Sequence, residues 1–251
     1  MRFFIRRLLP MTVALLFAAD SWADQAQIAV AANFAEPIRA IAAVMEKTTG
    51  HTLSVTVGAT GKLYAQIKNG APFDLLLAAN TEAPAALEKD GLARVGSSFT
   101  YAIGKLVVWS ADPTKVDARG NVLKGAGFRR LAYANPKTAP YGEAALQTMD
   151  KLGLTTTLTP KLVQGESIGQ AFSFVQTGNA EIGFLAMSQV LQEGKLKNGS
   201  MWVVPQALYS PIRQNAVLLD RGTNNAAAVA LVKLLHSANI KDLIRSYGYD
   251  I

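Results

Sequence analysis

Four short stretches of this sequence have the residue types needed to hold an anion with no metal and no catalytic group. Ala31-Ala32-Asn33-Phe34-Ala35-Glu36-Pro37 runs from a strand-like segment into a helical one. Asn33 is a strong N-cap type, Glu36 three places on completes a capping-box pattern, and Pro37 is tolerated in a first turn. Val57-Gly58-Ala59-Thr60-Gly61-Lys62 repeats the arrangement with Thr60 as cap. Ala139-Pro140-Tyr141-Gly142 and Gly165-Glu166-Ser167-Ile168-Gly169 open two more helices. A helix start leaves backbone N–H groups unpaired at the positive end of the dipole, which makes each stretch a potential anion site. The small residues in these stretches let a ligand approach the backbone closely. Every helix needs a cap, however, so four such starts carry functional meaning only where the fold makes them converge.

Other chemistries are poorly supplied. The chain has no cysteine, which removes disulfides, thiolate metal sites and cysteine nucleophiles. His51 and His236 are the two histidines, too few for a three-histidine metal site. His51 follows Gly50 in a helix-to-strand loop, and His236 falls near the end of the apolar helix Val229–Leu235, where it complements the dipole. There is no G-x-S-x-G elbow and no histidine paired with an acid at useful spacing, so no catalytic residue is expected. Asp74 reads as a turn- or cap-stabilising group, and Lys62 and Arg39 as solvated side chains near two of the helix starts. The formal charge of +7 comes from scattered residues. With no Arg/Lys stripe carrying interleaved aromatics, nucleic acid is not an expected partner.

Residues 1–23 have the pattern of a secretory signal peptide. Arg2, Arg6 and Arg7 precede the apolar run Leu8–Ala19, and Ser21-Trp22-Ala23 suits the peptidase. The run is shorter than the roughly 20 residues a membrane span needs. Cleavage before Asp24 leaves no cysteine for lipid attachment, and a periplasmic location is expected.

The elements that must position the four stretches alternate along the chain. Gln27–Ala31 predicts a strand, and a helix runs from Phe34 to about Thr48, ended by Gly50. Leu53–Val57 is a strand, Lys62–Lys68 a short helix, Asp74–Ala78 a strand buried on both faces, and Thr81–Asp90 a helix. Strands Lys105–Ser110 and Leu131–Ala134 are followed by helices Pro140–Leu152 and Ile168–Thr177. Strands Ile182–Leu185, Met201–Val204 and Asn215–Leu219 precede the closing helices Asn224–Ser237 and Lys241–Tyr247. This alternation predicts an α/β architecture with mostly parallel strands. The grouping predicts two lobes without a floppy linker, the chain crossing near Tyr101–Val108 and again near Leu208–Leu219. Residues 24–104 plus 212–251 would form lobe 1 and residues 105–211 lobe 2.

Five motifs, in this order and spacing, resemble a known family. They are Val30-Ala31-Ala32-Asn33-Phe34, Gly58-Ala59-Thr60-Gly61-Lys62-Leu63, Asn69-Gly70-Ala71-Pro72-Phe73-Asp74-Leu75, Asn135-Pro136 with Pro140-Tyr141-Gly142, and Arg245-Ser246-Tyr247-Gly248-Tyr249. The family is that of the molybdate-binding proteins of bacterial ABC importers, periplasmic receptors of the type II binding-protein fold. The resemblance covers nearly all of the chain after the leader. It implies mixed, mostly parallel sheets with helices on both faces and a ligand cleft between the lobes. There a tetrahedral oxyanion, molybdate or tungstate, would be held by hydrogen bonds, molybdenum being bound only as the oxyanion and no cofactor being required. Carried over by position, Asn33 and Thr60 would contact it through side chain and N–H, Tyr141 and Ile168 through N–H alone. Many relatives add a tyrosine hydroxyl from the strand end that is Gly183-Phe184-Leu185-Ala186 here. Ala186 cannot donate from its side chain, and Asn33, with two amide protons, is the candidate for the missing donor. The resemblance also implies a membrane permease as partner and a monomeric receptor. Sulfate or a small organic acid is the alternative ligand, and an enzyme on the same fold the remoter alternative.

Overall fold

The computed structural model describes residues 23–125 and 127–251; of the expected leader only Ala23 is among them. The chain begins with β1 (Gln25–Ala31), α1 (Ala35–Thr49), β2 (Thr52–Gly58), α2 (Thr60–Lys68), β3 (Leu75–Leu77), α3 (Glu82–Lys89) and β4 (Phe99–Gly104). It then crosses at Lys105 into β5 (Leu106–Ser110), β6 (Leu131–Ala134), α4 (Pro140–Lys151), α5 (Thr155–Leu158), β7 (Leu162–Gly165), α6 (Ile168–Gln176), β8 (Ile182–Ala186) and α7 (Met187–Val190). A small hairpin, β9 (Leu191–Gln192) and β10 (Lys195–Leu196), and β11 (Ser200–Val203) follow. The chain returns as β12 (Ile212–Leu218) and ends in α8 (Ala226–His236) and α9 (Ala238–Ser246).

Two five-stranded sheets result, ordered β2-β1-β3-β12-β4 and β11-β5-β8-β6-β7. In the first, β1 is parallel to β2 and β3, and β12 runs antiparallel to β3 and β4. Side chains along a strand point alternately to the two faces, and the apolar runs of β1, β3 and β12 feed two cores accordingly. Ile28, Val30, Leu75, Leu77, Ala216 and Leu218 meet Ile38, Ile41, Leu231 and Ile244 of α1, α8 and α9. Ala29, Leu76 and Val217 meet Leu63, Ile67 and Leu87 of α2 and α3. The second sheet has its own core, in which Trp109 packs on Phe172 with ring centroids 5.5 Å apart. The α/β class and the two lobes follow the expectation, and the C-terminal helices pack on the first sheet. The strands, however, are not mostly parallel: β12 runs antiparallel to β3 and β4, and β5 to β8 and β11, because these strands carry the chain across between the lobes. Among the described residues no helix is long and apolar enough to cross a membrane.

Two segments join the lobes side by side. Gly104 pairs with Ile212, and one step on Val204 N–H donates to the Leu106 carbonyl at 3.0 Å. The Lys105 peptide is held from both directions: its carbonyl accepts from Met187 N–H at 2.9 Å, and the next N–H, of Leu106, donates to the Tyr209 hydroxyl at 3.1 Å.

The structure differs from the sequence expectation in particular places. β4 was not expected as a strand; it is an edge strand whose existence depends on pairing with β12, more than a hundred residues away in the chain. β7 is likewise an edge strand, only half-buried apart from Gly165. β12 begins three residues before the expected Asn215 because its first half pairs with β4 across a bulge at Gln214/Asn215.

Because α8 completes a core begun two hundred residues earlier, shaving it should unsettle the whole first lobe. Leu231 is fully buried, and Leu231→Ala is expected to cost about 2–5 kcal/mol, measured by urea unfolding. A cost below ~1 kcal/mol would mean that α8 is not integral to that core.

Candidate functional site

The lobes meet along a seam built from small residues. Ala31, Ala32, Ala59 and Ala79 of the first lobe are packed into the same cluster as Ala139, Tyr141, Ile168 and Ala186 of the second. Gly61 N–H at the start of α2 donates to the Thr138 carbonyl, just ahead of α4, at 2.9 Å. A Cβ on Gly61 would lie 3.1 Å from the Thr138 Cα, so the two segments touch backbone to backbone. At the other end of the seam, a Cβ on Gly169 at the start of α6 would meet the Ala32 methyl at 3.4 Å. The four helix starts thus meet in two pairs along the seam, Asn33 toward α6 and Thr60 toward α4, and Asn33, Thr60, Tyr141 and Ile168 are all at most 3% exposed.

Three of these helix starts carry no side-chain cap. The cap positions of α1, α2 and α4 are Phe34, Ala59 and Ala139, and none makes a side-chain cap bond. This corrects the expectation that Asn33 and Thr60 are caps. Asn33 lies in a 3-10 turn, Ala32–Phe34, ahead of α1, and Thr60 is the first residue of α2. Glu36 pairs with Arg39. Of these four, α6 alone is capped in the ordinary way, Ser167 Oγ accepting from Gln170 N–H at 3.2 Å, which leaves Ile168 N–H uncommitted to the cap.

Thr60 and Asn33 differ in what their side chains retain. Thr60 Oγ1 accepts the Ala79 N–H at 3.0 Å, which uses a lone pair and leaves the hydroxyl proton for another acceptor. Asn33 Nδ2 donates to Gln214 Oε1 and to the Tyr249 hydroxyl, each at 2.8 Å. Both of its amide protons are spent inside the fold, so Asn33 does not replace the donor that Ala186 lacks. Its N–H is the group left to it. Gln189, which sequence reasoning did not single out, ties the remaining pieces: its Oε1 accepts from Ala186 N–H and its Nε2 donates to the Ile168 carbonyl, both at 3.0 Å.

Gln214, Ser188 and Tyr249 were also missed as functional candidates. Tyr249 was visible only as part of the closing Arg245–Tyr249 motif, and Gln214 only as a polar residue inside an apolar strand. The Tyr141 hydroxyl is buried against Gly104, and a Cβ on Gly104 would overlap it while lying 3.0 Å from Gln214 Nε2. The side chain of Tyr141 thus reaches the crossing strands while its N–H stays in the first turn of α4.

Charged groups frame the seam without entering it. Lys62 Nζ and Glu166 Oε2 pair across it at 2.7 Å, both side chains more than half exposed, so the contact contributes at most about 1 kcal/mol. A groove of about 470 Å³ lined by Ala32, Asn33, Val57, Gly169 and Phe172 opens on one side; Thr60, Gly61 and Thr138 line another on the opposite side. Among the described residues no three His, Asp or Glu side chains gather in a metal-binding group. Asp74 has the structural role expected of it, accepting from Gln27 N–H at 2.7 Å and pairing with Arg221. His51 Nδ1 accepts from Asp24 N–H, and His236, the last residue of α8, stacks on Phe99.

Burial pushes the Tyr249 phenol up to about 12, the bonds with Ser188 and Asn33 pulling the other way. Burial also holds Tyr101 and Tyr141 well above the usual phenol range. A raised phenol stabilises the fold fully below the unfolded value near pH 10, and that stability is lost as pH rises through the folded value. The melting temperature should therefore drop between pH 10 and 12, and less steeply in Tyr249→Phe than in the wild type. Superimposable pH profiles for the two proteins would remove Tyr249 from this account.

Comparison with known proteins agrees with this architecture. The family model for bacterial extracellular solute-binding proteins matches residues 26–250. The chain is 52% identical over 251 residues to the molybdate-binding protein ModA of Azotobacter vinelandii, covering 100% of both chains. It is 48% identical over 239 residues to the molybdate-binding protein ModA of Rhodobacter capsulatus, covering 95% of this chain and 93% of that one. Among solved structures, the periplasmic molybdate-binding protein of Azotobacter vinelandii superposes with a TM-score of 0.87 at 39% identity, over 90% of this chain and 99% of the other. The sulfate-binding protein SubI of Mycobacterium tuberculosis, at 13% identity and a TM-score of 0.72 over 90% of this chain and 86% of that one, shares the fold. With two lobes, a seam of bare helix starts and these relatives, the chain belongs to the family of bacterial extracellular solute-binding proteins.

Proposed function

We propose that this protein is a periplasmic receptor that captures molybdate, or tungstate, as the intact oxyanion and delivers it to an ABC transporter permease. The observation that carries the reading is the meeting of four helix starts on a buried, alanine-lined seam, three of them without a side-chain cap. The relatives named as molybdate-binding, at 52% and 48% identity, support the choice of anion. A doubly negative ion taken out of water must have its oxygens hydrogen-bonded, or desolvation defeats binding. Main-chain N–H groups of Asn33, Tyr141 and Ile168 and the hydroxyl proton of Thr60 are neutral donors that become charge-assisted against an oxyanion, roughly doubling their strength. Helix dipoles add to this. Molybdate and tungstate are nearly equal in size and should be held alike; sulfate is smaller and would stretch the same bonds.

Residues 24–104 plus 212–251 and residues 105–211 act as the two moving lobes. Asn33 and Thr60 ride on the first, Tyr141 and Ile168 on the second, so the donor set assembles on closure and disperses on opening at the permease. The ion is bound and released unchanged, without catalysis or cofactor, and one chain carries the whole site, in keeping with a monomer.

Calorimetric titration of the desalted protein with molybdate, tungstate, sulfate and phosphate tests the reading. Molybdate and tungstate should bind comparably and far more tightly than the other two; a preference for sulfate would overturn it. Thr60→Ala removes a charge-assisted bond worth roughly 1.5–3 kcal/mol, a loss on the order of 10- to 150-fold in affinity. Ile168→Val keeps its N–H and should bind like the wild type, whereas Ile168→Pro should bind weakly. Equal affinities for all three variants would refute the assignment of Thr60 and Ile168.

A further inference from the structure

We infer that Tyr249, Gln214 and Ser188 are positioning residues for anion capture, clamping the Asn33 peptide and making the clamp complete only when the second lobe has closed; the inference rests on the oxyanion reading above. Gln214 Nε2 donates to the Ile212 carbonyl at 3.2 Å, so its Oε1 must be the atom that accepts from Asn33. The second Asn33 amide proton goes to the Tyr249 oxygen. Tyr249 Oη lies 3.0 Å from Ser188 Oγ, and Ser188 Oγ donates to the Asn33 carbonyl at 2.7 Å. A directed circuit therefore leaves Asn33 by its amide, passes through two hydroxyls and returns to the Asn33 main chain. Tyr249 Oη is also within 2.9 Å of that carbonyl. Local sequence makes the carbonyl available: Pro37, four residues on, has no N–H with which to engage it.

The circuit joins distant parts of the chain. Asn33 lies before α1, Gln214 on the returning strand β12, Tyr249 past α9, and Ser188 on α7, which follows the second sheet's β8. The four residues are between 0 and 3% exposed, and hydrogen bonds shielded from water are strengthened and geometrically strict. The Tyr249 ring is itself fixed edge-on to Phe34, centroids 5.6 Å apart. With its side chain and carbonyl both held, the Asn33 N–H has one direction to point. Ser188 alone comes from the 105–211 lobe, so the clamp senses closure.

The test compares wild type, Tyr249→Phe, Ser188→Ala and the control Tyr133→Phe, which removes a hydroxyl bonded to Gln164, outside both the circuit and the joint between the lobes. Molybdate dissociation is followed by stopped-flow displacement, stoichiometry by calorimetry, and the Asn33 backbone amide by ¹⁵N NMR. Tyr249→Phe and Ser188→Ala should release molybdate roughly 5- to 30-fold faster, the equivalent of one or two net hydrogen bonds. Their stoichiometry should be unchanged and the Asn33 amide resonance displaced; Tyr133→Phe should keep the wild-type stoichiometry, dissociation rate and Asn33 resonance. A purely structural role would instead lower the melting temperature and the active fraction while leaving the dissociation rate alone, and that result overturns the inference. So does equal acceleration in Tyr133→Phe. Should Tyr249→Phe not fold, Ser188→Ala decides, since it deletes one oxygen from a site that alanine fits. A wild type that binds no molybdate would bring down the functional reading itself, a result distinct from normal wild-type binding with silent variants.

Discussion

A helix N-terminus normally satisfies its first N–H groups with a side-chain cap. Here Phe34, Ala59 and Ala139 occupy three cap positions and cannot serve. Bare donors in a buried place are costly in isolation; on the proposed reading an outside acceptor, the anion, satisfies them on closure. The alanines along the seam fit the same arrangement, since a larger side chain would hide the donors. The hydroxyl of Thr60 and the amide of Asn33 are turned away from capping toward Ala79, Gln214 and Tyr249, and that redirection is what frees the backbone.

Holding four helix starts along one seam demands rigid lobes and a defined joint. Rigidity comes from sheets covered on both faces, with the first completed by a strand and two helices from the end of the chain. The joint is narrow, two adjacent crossings with the Lys105 peptide bonded on both sides. Buried tyrosines surround it: the Tyr209 hydroxyl bonds to main chain and the Tyr249 hydroxyl to the Asn33 cluster, while that of Tyr141 is buried without a partner. A polar joint of this kind can exchange one set of hydrogen bonds for another during a hinge motion, whereas an apolar one would have to break packing.

Much of this was legible in the sequence, for reasons that can be named. β1, β3 and the helices that flank them have strong apolar periodicity and glycine or asparagine ends, and Gly50 indeed closes α1 in the left-handed conformation with φ 74°. Tyr141 and Ile168 fall at helix starts as expected, since proline and serine punctuate those turns. What the sequence hid depends on distant partners. β4 needs β12; the cap types at Asn33 and Thr60 were outbid by tertiary bonds to Gln214, Tyr249 and Ala79. The clamp residues 188, 214 and 249 are separated by long stretches of chain, and no local pattern relates them.

The contact between Gly104 and Tyr141 constrains how such a receptor can drift over generations. A Cβ at 104 would overlap the phenol oxygen and lie 2.9 Å from the carbon that bears it, so even loss of the hydroxyl would leave the ring in the way. On the proposed reading residue 141 serves the anion through its main chain and is free, on that account, to change its side chain. Position 104 is not free until it does. The two sites therefore have a required order of substitution: a lineage must first shrink the aromatic at 141, and only afterwards can the crossing strand acquire a side chain, stiffen, and retune how readily the lobes open.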